Sequence, residues 1–141
     1  MKFLKILVPV SGEEADKEAI ELACIMAKES KGTINAVYVI RVKRSLPLDA
    51  EIDTEVQKAE EVLSWAEKIA DQKVYKIETN LLQTREVGPA IIDEAMEHSA
   101  DLIIMGMGYR KRFGQFDPGD TVSYVLKNAP CRVLLLRQPL Q

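Results

Sequence analysis

The chain is poor in the residues that carry most covalent and metal chemistry: one histidine and two cysteines in 141 residues. A Ser–His or Cys–His nucleophile pair could be built only around His98, whose neighbours Glu97 and Ser99 offer nothing to support one. Cys24 and Cys131 lie in apolar surroundings without metal-ligand spacing, so they are expected as reduced core residues. The acids Asp49, Glu51, Asp53 and Glu55 stand far from any histidine or cysteine, so no metal site is expected among them. With no nucleophile beside a base, the chain reads as a binding module and not as an enzyme.

A basic excess is also missing. Lys and Arg total 19 against 22 for Asp and Glu, a net charge of −3. Nucleic acid is therefore not expected as the partner, because phosphate neutralisation needs a basic surface. No apolar stretch approaches membrane-spanning length, and the N-terminus carries neither the apolar region nor the cleavage site of a secretory signal. These absences lead to the expectation of a cytoplasmic protein. Linkers, repeats and low-complexity segments are lacking too, so residues 1–141 are expected to form one domain.

What the chain does have is strands alternating with helices. Phe3 to Val10 is apolar apart from Lys5, the pattern of a strand covered on both faces. Glu13 to Lys31 carries a helical stripe with acids in its first turn, and Gly32 ends it. Thr33 to Val42 is rich in β-branched residues and reads as a strand. Lys43 to Glu51, with Pro47, reads as a loop, and Asp53 to Asp71 as a helix. Val74 to Leu82 alternates as a strand, and Glu86 to His98 reads as a helix with Pro89 in its first turn. Leu102 to Met105 is a short apolar strand, Asp120 to Asn128 the last helix and Cys131 to Leu136 the last strand. This alternation predicts a Rossmann-like α/β domain, its sheet parallel and its helices on both faces. A ligand crevice then lies at the carboxyl ends of the strands, where the strand order reverses.

Two loops carry glycine at that end, Ser11-Gly12 after the first strand and Gly106-Met107-Gly108 after the fourth. The second glycine pair admits two readings, a tight exit from a buried strand or a backbone cradle for an anion. Arg110, Lys111 and Arg112 follow, as a solvated basic loop or as phosphate contacts. Phe113 and Phe116 bracket Gly114, which suggests a lid or a protein contact. Asp120 and Thr121 either cap the last helix or face a ligand.

The segments Lys5-Ile6-Leu7-Val8-Pro9-Val10, Ala100-Asp101-Leu102-Ile103-Ile104-Met105-Gly106 and Val125-Leu126-Lys127-Asn128-Ala129-Pro130-Cys131-Arg132-Val133 resemble the universal stress protein family over essentially the whole chain. The resemblance implies a five-stranded parallel sheet in the order 3-2-1-4-5. It also implies an adenine nucleotide, ATP or AMP, between strands one and four, and a homodimer through strand 131–136. Tyr109 to Phe116, with Gly119-Asp120-Thr121-Val122 and Tyr124-Val125-Leu126, is similar to the domains appended to membrane amino-acid permeases, which implies a transporter partner.

The ligand site implied by the resemblance comprises Pro9, Ser11, Val39, Gly106, Gly108, Tyr109, Gly119, Asp120 and Thr121. The family's pattern of glycine, two residues, glycine, nine residues, glycine and serine or threonine places its glycines on Gly106, Tyr109 and Gly119. Its hydroxyl residue falls on Asp120, and its usual aspartate after strand one falls on Ser11. Gly108 stands one place early and Thr121 one place late. Tyr109 removes a glycine's close backbone approach, and Asp120 puts a carboxylate where a triphosphate needs the opposite charge. The expected function is thus an adenine-nucleotide-binding stress or regulatory module with a degenerate phosphate motif. Weak ATP hydrolysis follows only by analogy with the family. The alternative is an interaction protein that docks a transporter or other partner through residues 109–116.

Overall fold

In the computed structural model, which describes residues 1–140, four helices flank a parallel sheet. Its elements are β1 (Lys5–Pro9), α1 (Glu14–Ser30), β2 (Thr33–Arg41), α2 (Asp53–Gln72), β3 (Glu78–Thr84), α3 (Val87–Glu97) and β4 (Leu102–Met107). A short hairpin, β5 (Lys111–Arg112) with β6 (Gln115–Phe116), leads into α4 (Gly119–Asn128) and β7 (Arg132–Arg137). The sheet order is β3-β2-β1-β4-β7, all pairs parallel. This is the 3-2-1-4-5 order once the hairpin strands are left out of the count.

Successive residues of the central strands serve opposite faces, as a sheet covered on both sides requires. Ile6 and Val8 of β1 and Leu102 and Ile104 of β4 enter one core, shared with α1 and α2. Leu7, Ile103 and Met105 enter the other, with Ile91 and Ile92 of α3 and Val125 of α4. Between β1 and β4 the chain order reverses, so their carboxyl ends diverge into a crevice.

Three segments differ from the sequence reading. The third strand begins at Glu78 and not at Val74, because α2 runs on to Gln72 and the chain reverses at Val74 (φ +56°). Tyr75 and Ile77 pack on the first core as they lead into the strand, which mimics strand alternation. The fourth strand extends two residues past Met105 to Met107, paired throughout with β7. Residues 109–116, read as a loop, contain the antiparallel hairpin.

The packing of α1 on β4 fixes one residue type. A Cβ on Gly106 would lie 2.2 Å from the Ala15 carbonyl oxygen and 2.6 Å from its carbon, both backbone atoms at the start of α1. Gly106 is therefore glycine because a helix backbone rests on it. Gly108 has no such neighbour, its nearest being the flexible Gln138 Oε1 at 3.4 Å. We expect Gly106→Ala to cost about 3 kcal/mol, the upper part of the usual overpacking range, and Gly108→Ala to stay within about 0.5 kcal/mol of wild type. Urea unfolding of the two variants checks this; equal losses would remove the packing explanation.

Candidate functional site

The crevice between β1 and β4 is a cleft of about 330 Å³, at the low end of the roughly 300–1,000 Å³ of small-molecule sites. Val39, Val87, Ile91 and Met105 give it an apolar wall, and Pro9, Ser11 and Gly106 line the sheet end. Gly119, Asp120 and Thr121 close it from the first turn of α4. Seven of the nine residues expected at the site thus meet in one cleft. Gly108 and Tyr109 do not line it. Tyr109 instead stacks on Phe116 (centroids 5.5 Å apart), with the Arg137 guanidinium 5.0 Å from its ring centroid. A tyrosine there builds the hairpin base and leaves the cleft alone.

The cleft's deepest charge was not anticipated. Asp16, in the first turn of α1, is 2% exposed, and its Oδ2 accepts hydrogen bonds from the amides of Ser11, Gly12 and Glu13 at 2.8, 2.9 and 3.1 Å. Burial pushes the Asp16 carboxyl above the usual aspartate range; the three amide bonds oppose that rise and the Glu13 charge adds to it. In doubly wound folds the amides of the first strand-to-helix turn are where a phosphate is held. Here the protein's own carboxylate occupies that turn. An acid in a helix's first turn is usually solvated, so sequence pattern alone gave no sign of this role.

The remaining charges face the opening. Arg110, from the β4–β5 connection, donates from Nη2 to Glu13 Oε1 at 2.6 Å, across 97 residues of chain. Glu13, Asp16 and Asp120 therefore face one cation, already paired. Asp120 is exposed, so its charge is screened, and the buried carboxylate of the cleft is Asp16. Neither Asp120 nor Thr121 caps α4: the Gly119 amide donates to Asp117 Oδ1 at 3.0 Å, and Gly119 has φ +82°, which favours glycine. The next amides of that turn have no carbonyl of their own helix to meet, which leaves them for an anion.

His98 lies at the other end of the sheet, 3.1 Å from Glu94 Oε2 but without hydrogen-bond alignment. Cys24 is buried and Cys131 partly so, and both are free thiols. Among the described residues no cluster of histidine, cysteine and acids has the arrangement of a metal site, and no helix is long and apolar enough to cross a membrane.

A model of the universal stress protein family matches residues 2–137. Universal stress protein MJ0531 of Methanocaldococcus jannaschii is 30% identical over 143 residues, covering 97% of this chain and 84% of that protein. A universal stress protein from Archaeoglobus fulgidus superposes with a TM-score of 0.75 at 25% identity, over 96% of this chain and 94% of that one. A structure of the Archaeoglobus fulgidus universal stress protein in complex with dAMP gives 0.76 at 23% identity, over 96% and 98%.

The Asp16 geometry makes a pH-dependent expectation. A carboxyl whose value is raised by folding binds more protons folded than unfolded, so its contribution to stability falls as pH rises from about 4 until it ionises in the fold. Asp16→Asn keeps an oxygen acceptor and removes the ionisation. The stability of this variant relative to wild type is expected to increase with pH across that window, measured by urea midpoints. A difference that is constant with pH, or that shrinks, contradicts the assignment.

Proposed function

The chain belongs to the universal stress protein family, and on that premise we propose that it is a regulatory module that binds an adenine nucleotide in the β1–β4 cleft, monophosphates ahead of triphosphates. The observation that carries this reading is the Asp16 carboxylate bonded to the three amides of the β1–α1 turn. With that turn filled, a phosphate is left with the first turn of α4, at the amides that follow Gly119, and the Thr121 hydroxyl. The base lies against the apolar wall, between Pro9, Ser11 and the backbone of Val39. A cleft of about 330 Å³ suits a nucleoside or mononucleotide. The dAMP held by a protein of the same fold supports a ligand of that size. Each further phosphate would add negative charge to a site where two carboxyl groups without a cation partner, Asp16 and Asp120, face an arginine already paired with Glu13. The module acts by binding and not by catalysis.

The assembly we propose is a homodimer through β7. That strand lies at the sheet edge, and Val133, Leu134, Leu135 and Leu136 are each only half-buried. An open apolar edge of this kind invites pairing with a second copy. Light scattering at micromolar concentration is expected to give twice the chain mass, and a monomer mass counts against it. The exposed 109–116 hairpin also suits the alternative in which that segment docks a partner.

Calorimetry tests the ligand reading. AMP is expected to bind more tightly than ATP, with the gap narrowing as salt screens the carboxylates. Because Asp120 is exposed, Asp120→Ser should tighten ATP only about two- to fivefold, the scale of a surface charge at a helix terminus, and leave adenosine unchanged. Tighter binding of ATP than AMP would contradict the charge argument. No binding of AMP, adenosine or ATP would overturn the adenine-site reading.

A further inference from the structure

The hairpin β5–β6 has a braced base and a free tip. At the base the Asp117 amide donates to the Arg110 carbonyl at 3.0 Å. There Tyr109 stacks on Phe116, with the Arg137 guanidinium 5.0 and 5.4 Å from the two ring centroids. The tip is a two-residue turn in which Phe113 has φ +54° and Gly114 φ +76°. Turns with both central residues at positive φ favour Asn-Gly or Asp-Gly, and an aromatic at the first position is disfavoured. Phe113 is nonetheless 92% exposed, so packing within the fold does not account for it. Strained residues kept at exposed positions point to a function outside the fold's own stability.

The charge around that ring has one sign. Arg112 lies 5.3 Å from the Phe113 centroid, and Lys111 precedes it. Residues 109–117 hold three cations against one acid, Asp117, in a chain of net charge −3. Arg110 is held by Glu13 at 2.6 Å, while Arg112 approaches Asp117 only at 3.9 Å and Lys111 makes no ion pair among the described residues. A Cβ on Gly114 would meet nothing within 4 Å, so the tip stands in open space.

We propose that this hairpin is a membrane-docking finger that inserts Phe113 at the surface of an anionic phospholipid bilayer while Lys111 and Arg112 engage the headgroups. An exposed aromatic preceded by two cations matches that interface, where an apolar body and positive charge are both favoured. A bilayer accepts an exposed aromatic tip without a preformed pocket, whereas a protein partner would have to supply one. The finger is independent of the adenine site, since neither Phe113 nor Lys111 lines the cleft.

Co-sedimentation of the full chain with vesicles tests this. Binding is expected to phosphatidylcholine vesicles containing phosphatidylglycerol, and not to phosphatidylcholine alone. Neutralising both cations in a Lys111→Gln/Arg112→Gln double variant should weaken binding on the order of thirtyfold. Phe113→Asn should reduce binding while leaving the melting temperature unchanged or higher, because asparagine tolerates positive φ; this separates lost docking from lost folding. Absence of binding to the anionic vesicles, equal binding to both kinds, or full binding by Phe113→Asn would overturn the proposal. So would capture by immobilised polyglutamate with no binding to vesicles, which would assign the hairpin to acidic proteins instead.

Discussion

The arrangement of the cleft depends on one buried carboxylate. Asp16 draws the amides of Ser11, Gly12 and Glu13 onto a single oxygen, so the turn leaving β1 is fixed by the helix it enters. The three amide bonds favour the ionised carboxyl, against the burial that disfavours it and pushes its proton affinity up. The residue before it, Ala15, rests its backbone on Gly106. One turn of α1 thereby holds the ends of both strands that frame the cleft. The electrostatic consequence follows from the same contact, because the amides that an open turn would lend to a phosphate are already committed.

The chain between β4 and α4 completes the site from the other side. Arg110 reaches back to Glu13 at the start of α1, and Asp117 takes the Gly119 amide at the start of α4. The hairpin spans these two anchors, so its base belongs to the cleft rim while its tip is carried clear of it. Cleft and hairpin tip are therefore neighbours in the chain with separate chemistry, one apolar and carboxylate-lined, the other aromatic and basic.

The layout of the fold was legible because β1 and β4 are buried on both faces and read as unbroken apolar runs, from Ile6 to Val8 and from Leu102 to Met105. Gly106 was legible as a special position, but its cause was not, since the Ala15 carbonyl comes from a distant part of the chain. Helix α2 outran its expected end by one residue and turned at Val74, where a β-branched residue at positive φ runs against local preference. The hairpin escaped notice because two-residue strands have no periodicity and Phe113 stands where asparagine usually signals the turn. Asp16 escaped for a different reason: an acid in the first turn looks the same in sequence whether solvated or folded inward. The family's motif put the weight on Asp120, whose side chain is exposed at the cleft mouth.

The most direct test of this account is a crystal structure of the chain with AMP. It predicts the phosphate at the first turn of α4, against the amides following Gly119, with all three amide bonds to Asp16 Oδ2 intact. A phosphate seated in the Ser11–Glu13 turn with the Asp16 side chain displaced would contradict it.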